Sequence, residues 1–227
     1  MSSTDTRPHC DNCQNSSGGF FCLLEKEGLD FISSTKQHES YTKGAVIFER
    51  GDAPTGLYCV LKGVVKLETE NEDGKSHILR IVGPGNALGY RALFSQSNYQ
   101  ARAVAHENCE ICFIPRPAIE KLVQLRPELS LKFLALLSED VKRAEERLCS
   151  ATDKNSASRV ADTLLFLDSH YSPEKPWTRK EIADWAGTTP ETVMRTLTQF
   201  ESDSLIRSRG KFIEISDRKK LLALSRS

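Results

Sequence analysis

Between residues 43 and 114 short β-type runs alternate with glycine turns, and this alternation restricts the front of the chain to an all-β sandwich or barrel. The runs are Ala45-Val46-Ile47-Phe48, Leu57-Tyr58-Cys59-Val60-Leu61, Val64-Val65-Lys66-Leu67-Glu68, His77-Ile78-Leu79-Arg80-Ile81-Val82 and Glu110-Ile111-Cys112-Phe113-Ile114. Gly51-Asp52, Lys62-Gly63, Asp73-Gly74 and Gly83-Pro84-Gly85 punctuate them. Asp73-Gly74 is the strongest hairpin signal, because both residues accept the left-handed backbone of a tight turn. Ahead of the strands, residues 25 to about 40 predict a short helix with Leu29, Phe31 and Ile32 turned inward.

After Pro115 the period changes from strand to helix. Leu134, Leu137, Val141, Ala144 and Leu148 recur in alternating steps of three and four, with Lys142, Arg143, Glu145 and Glu146 on the outer faces. Two arrangements satisfy that period: an amphipathic helix lying on the β domain, or the seam of a helical dimer. Residues 150–158 carry no large apolar side chain and read as a hinge.

The last block predicts a small helical domain closed by a hairpin. Val160, Leu164, Leu165 and Leu167 mark its first helix. Thr178-Arg179-Lys180-Glu181 is a capping box, in which the hydroxyl accepts from an orphan amide and the carboxylate reaches back. Gly187 makes a tight turn, Thr189 is an N-cap, and Pro190 suits the first helical position. The helix that follows buries Val193, Leu197 and Phe200. Leu205-Ile206-Arg207 and Lys211-Phe212-Ile213-Glu214-Ile215 then flank Arg209-Gly210 as a wing.

Two short helices joined by a glycine turn form the unit that seats a recognition helix in a major groove. Thr188, Thr189 and Thr192 stand at its start, and Glu191, Met194 and Arg195 follow along it. Glu191 and Arg195 share a face at i, i+4, where a carboxylate can read cytosine and a guanidinium guanine. The same spacing also suits a plain surface ion pair. Arg179, Lys180, Arg207, Arg209 and Lys211 are available for phosphates.

Charge does not point to nucleic acid by itself, since Lys+Arg and Asp+Glu both total 31; a specific binder needs only one basic face. No apolar run approaches membrane-spanning length and the start is polar, so a soluble, cytoplasmic protein with no membrane partner is expected. Seven cysteines without an export signal argue against a disulfide framework. An enzyme is not expected. Cys10-x-x-Cys13 has no preceding strand, unlike a thioredoxin-type pair, and no nucleophile triad, phosphate loop or paired carboxylates occur elsewhere.

The order of β-roll, long helix and winged helix-turn-helix resembles the CRP/FNR superfamily of bacterial transcription regulators over residues 42–215. The resemblance is carried by Lys43-Gly44-Ala45-Val46-Ile47-Phe48 with Gly51-Asp52, by Gly83-Pro84-Gly85 through Leu88-Gly89-Tyr90, and by Pro190-Glu191-Thr192-Val193-Met194-Arg195. It implies an α+β fold: an N-terminal double-stranded β-helix (the β-roll), a long dimerisation helix and a C-terminal winged helix-turn-helix. The expected divisions are a cysteine-containing segment at 1–24, a β-roll sensor at 25–115, a dimerisation helix at 116–150 and a DNA-binding domain at 151–227. It further implies a homodimer joined through Leu134, Leu137, Val141, Ala144 and Leu148, a palindromic double-stranded DNA site, and RNA polymerase as a partner.

The cyclic-AMP branch of that family uses a Gly-Glu-Leu segment and an Arg-Ser pair. Here Gly89-Tyr90-Arg91 and Gln100-Ala101 stand in their places, so no cyclic AMP is expected. The FNR branch holds a [4Fe-4S] cluster on four thiolates, and Cys10, Cys13, Cys22 and Cys112 fall at comparable places. Cys22 follows Cys13 by nine positions where the family has six, so the match is inexact. A cluster, redox-active or structural thiols without one, and zinc all remain open. Cys109, three residues from Cys112, is expected on the other face of its strand. Cys59 and Cys149 read as small core or interface residues.

Overall fold

The computed structural model describes residues 24–171 and 176–226. Helix α1 (Lys26–Thr35) leads into strands β1 (Gln37–Tyr41), β2 (Val46–Phe48), β3 (Gly56–Lys62), β4 (Val65–Glu70), β5 (Ser76–Val82) and β6 (Ala87–Leu88). Helix α2 (Tyr90–Ser95), strands β7 (Arg102–Ala105) and β8 (Cys109–Pro115) and helices α3 (Arg116–Leu125) and α4 (Glu128–Asp153) follow. The C-terminal elements are α5 (Ser156–His170), α6 (Arg179–Ala186), α7 (Pro190–Ser202), β9 (Ile206–Arg209), β10 (Phe212–Ile215) and α8 (Arg218–Ser225).

Eight strands form two four-stranded sheets, ordered β1-β8-β3-β6 and β2-β7-β4-β5. Apart from the β4-β5 hairpin, neighbours in the sheets are not consecutive in sequence. Inward-facing Val60, Val65, Leu67, Ala103, Ala105 and Ile111 meet in one core. The outer face of the first sheet carries Leu57 and Ile114 into a second core with Ile32, Ile119, Leu122, Leu129 and Phe133 from the helices. Each such fully buried aliphatic contributes about 1.5–3 kcal/mol. Gly56 is needed here, because a Cβ would lie 2.2 Å from the Ile114 carbonyl oxygen.

The Asp73-Gly74 turn forms as expected, with Gly74 at φ +75° and the Gly74 amide donating to Asn71 O. Three strands escaped the sequence reading: β1, β6 and β7. The first corrects the N-terminal helix, which stops at Thr35, after which residues 37–41 pair with the edge of β8 in the register His38↔Cys112. The edge of β8 supplies backbone partners that outweigh the local preference. The hinge expected over 150–158 shrinks to Lys154 and Asn155, since α4 continues to Asp153 and Asn155 caps α5. The region after Pro115 is two helices, broken between Leu125 and Glu128.

Contacts divide the chain into two units. The first extends through Thr69 and resumes over Leu79–Glu139; the second joins Glu70–Ile78 to the chain from Asp140 onward. In the second, Val160, Leu164, Ile182, Val193, Leu197, Phe200 and Ile206 are buried. Helix α8, absent from the sequence reading, is capped by Asp217 and seats Leu221 in this unit.

Candidate nucleic-acid interface

The local chemistry of the helix-turn-helix is realised. Thr178 accepts from the Glu181 amide while Glu181 accepts from the Thr178 amide at 2.9 Å, which fixes the start of α6. Gly187 closes α6 in the left-handed region at φ +63°. Thr189 then caps α7 by accepting from the Thr192 amide at 3.3 Å. Caps of this kind contribute about 1 kcal/mol each and set where the helices begin.

With Val193, Leu197 and Phe200 buried, helix geometry turns Glu191, Met194 and Arg195 outward, and all three are exposed. Among the described residues neither Glu191 nor Arg195 has an ion-pair partner. The Glu191 carboxylate is held below its ordinary pKa by a backbone amide at the helix start and by the Thr189 hydroxyl. It is therefore an anion and an acceptor at neutral pH. Thr192 is half-buried and Thr189 exposed, but Thr188 is only 8 % exposed and offers its hydroxyl little surface.

The wing pairs Arg209 with Phe212 and Arg207 with Glu214, leaving Arg209 and Lys211 exposed at its tip. Arg179 differs from its expected role. It is partly buried, which lowers its pKa, and donates to Gly210 O at 3.3 Å, so it ties the wing turn to the head of α6. Lys180 is likewise committed, to Asp184 at 2.7 Å. Arg159 was missed by the sequence reading. It donates to the carbonyls of Lys154 (2.6 Å), Ala186 (3.0 Å) and Gly187 (3.4 Å), joining the end of α4 to the turn of the helix-turn-helix. An arginine beside apolar Val160 was the one available signal.

The expected dimer residues lie along α4. Leu134, Val141 and Leu148, spaced by sevens, are 58 %, 56 % and 67 % exposed. Ala144 is exposed as well, whereas Leu137 packs partly into the second core.

In the β-roll, Tyr90, the first residue of α2, is fully buried, and its hydroxyl accepts from Arg80 at 2.5 Å. Gln100 is exposed and donates to Asn98 O, while Ala101 is buried. Arg102 lies opposite Glu68 in the ladder and forms an ion pair with it at 2.7 Å. Cys112 is buried on β8, between His38 and Cys59 in the ladders. Cys109 faces the other core, donating to Val64 O and Glu107 O. Cys149 is exposed, so it is not a core residue. Cys10, Cys13 and Cys22 lie outside the described residues. Among the described residues no group of three or more His, Cys, Asp or Glu could hold a metal ion, and no helix is long and apolar enough to cross a membrane.

Residues 38–126 match the family model of the cyclic nucleotide-binding domain, and residues 158–224 match the Crp-like helix-turn-helix domain. The chain is 27 % identical to the anaerobic regulatory protein of Haemophilus influenzae, covering 96 % of this chain and 88 % of that one. FixK2 from Bradyrhizobium japonicum shares the fold with a TM-score of 0.75 at 25 % identity, covering 84 % of this chain and 97 % of that one. A CRP/FNR-family transcriptional regulator from Thermus thermophilus gives 0.72 at 28 %, over 84 % and 99 %. A cyclic-nucleotide-binding-type roll is thus followed by a Crp-like helix-turn-helix, and the chain belongs to the CRP/FNR superfamily of transcription regulators.

Proposed function

We propose that this protein is a dimeric transcription regulator whose α7 reads a palindromic DNA site through Glu191 and Arg195. The observation that carries the reading is the exposed carboxylate and guanidinium on α7, opposite its buried apolar face. Arg195 donates to guanine O6 and N7, Glu191 accepts from cytosine N4, and Met194 makes apolar contact with a thymine methyl. The hydroxyls of Thr189 and Thr192, at the positive end of α7, hold phosphates, as do Arg209 and Lys211 on the wing. Thr188 supports the turn ahead of α7, its amide donating to Ala183 O. The dimer closes over Leu134, Val141 and Leu148, with Ala144 alongside and Leu137 at the edge. A dimer supplies one recognition helix per half-site, which is why the site is two-fold. RNA polymerase is the expected partner, in the cytoplasm.

The signal is oxygen or redox state, sensed by thiols, and cyclic AMP is not the effector. Against cyclic AMP stand Tyr90, which fills the ribose-anchoring position with a buried ring, and Arg102, whose guanidinium is already paired. In favour of thiols, Cys112 is buried on the face of β8 that also carries Ile114, and Leu24, two residues after Cys22, packs in the same core as Ile114. Cys10, Cys13, Cys22 and Cys112 form a soft anionic donor set that fits a [4Fe-4S] cluster. Such a cluster supplies reversible, oxygen-sensitive redox chemistry, while the chain contributes the ligands and the apolar cover. The relative named as an anaerobic regulatory protein supports the same reading.

Randomised-site selection on wild type and Arg195→Ala tests the DNA reading. Arg195→Ala is expected to lose about 1–3 kcal/mol of binding and relax one base position; an unchanged preferred sequence and affinity would remove α7 as the reading element. Separately, protein reconstituted without oxygen is expected to be brown and to bleach in air, with the colour lost in Cys112→Ser. Colourless protein without iron or labile sulfide would leave the thiols as a redox or structural element.

A further inference from the structure

The last carbonyls of a helix have no partner within it, and they carry the negative end of its dipole. At the end of α6 these carbonyls are held by two arginines from other helices. Arg159 of α5 takes Ala186 and Gly187. Arg147 of α4 donates from Nη2 to Trp185 O at 3.0 Å and to Ile78 O at 3.1 Å, and its guanidinium carbon lies 4.2 Å from the Trp185 ring centre. Trp185 in turn stacks on Phe166 of α5, with centroids 5.0 Å apart and planes 14° from parallel. All of these residues belong to the second unit. Arg147 adjoins Leu148 of the exposed seam, so the seam and this clamp share one turn of α4. The covalent route from α4 to the helix-turn-helix passes through the break at Lys154 and Asn155.

We propose that Arg147 is a positioning residue: it fixes α6, and α7 packed on it, to the dimerisation helix and so sets the half-site spacing that the dimer accepts. This rests on the dimeric reading of a palindrome given above. A hydrogen bond from a cation, directed at a helix-terminal carbonyl and backed by a stacked ring, restrains both direction and distance. Arg147 touches no base, so its effect is on geometry and leaves base choice alone.

The test is a gel-shift titration of palindromes whose central spacer is the selected length, one base pair shorter and one longer. Wild type is expected to prefer one spacer. Arg147→Ala should bind that spacer about tenfold more weakly, and its affinities for the three spacers should converge to within about threefold. Weaker binding with an unchanged spacer ratio, in a variant that sediments as a folded dimer, overturns the proposal. If Arg147→Ala does not fold, Arg147→Lys decides, since it keeps a cation without the planar stack: a narrowed ratio supports the proposal and a wild-type ratio overturns it. Wild type that is monomeric, or that binds a lone half-site as tightly as a palindrome, refutes the dimeric reading itself and this proposal with it.

Discussion

The β-roll and the outer face of α7 with the wing tip treat their charged side chains in opposite ways. In the roll, Arg80 is committed to Tyr90 and Arg102 to Glu68, and the tyrosine occupies the interior. On α7 and the wing, Glu191, Arg195, Arg209 and Lys211 stand in solvent. A guanidinium that already has a carboxylate must lose that pair before it can take a phosphate, whereas an exposed one exchanges only water. On the function proposed above, this difference is what separates a roll that does without cyclic AMP from a companion unit that holds DNA.

The largest expected effect comes from Val141→Glu, which tests whether the exposed side of α4 belongs with the open surfaces or is covered by a second copy. An unpaired carboxylate in a closed seam costs about 3–5 kcal/mol, so the variant should sediment as a monomer and lose affinity for a palindrome. An unchanged sedimentation coefficient would move the interface elsewhere. Next is the filled roll. Tyr90→Phe removes the acceptor used by Arg80 and should lower unfolding stability by about 1–3 kcal/mol in denaturant titration, with DNA affinity of the folded protein unchanged. Calorimetry of wild type at millimolar cyclic AMP should show no binding; a micromolar dissociation constant would break the contrast between the two regions. The smallest effect is on the wing. Lys211→Ala should weaken all DNA sequences alike and reduce the salt slope by about one, and a sequence-selective loss would make Lys211 a base reader.

Much of the DNA-facing unit was legible because its determinants are local. The Thr178–Glu181 box, the Gly187 turn, the Thr189 cap and the apolar stripe of Val193, Leu197 and Phe200 each operate within a few residues of backbone. The hairpin at Asp73-Gly74 was legible for the same reason. The period of α4 was equally visible, yet it could not say which leucines face the protein's own core. Packing turns Leu137 partly inward and leaves Leu134, Val141 and Leu148 outside.

The sequence by itself therefore determined the succession of a β region, a long helix and a helix-turn-helix, the caps and turns of α6 and α7, and the exposed face of α7. Tertiary structure alone decided the partners that lie far apart along the chain. Strand β1 exists because β8 has an open edge, and two-residue β6 is too short to show an alternation. Arg179 turned out to serve the wing, and Arg159 and Arg147 the end of α6, through carbonyls that have no side-chain signature. Backbone acceptors look the same at every position of a sequence, so which of them an arginine finds is settled only when the chain is folded.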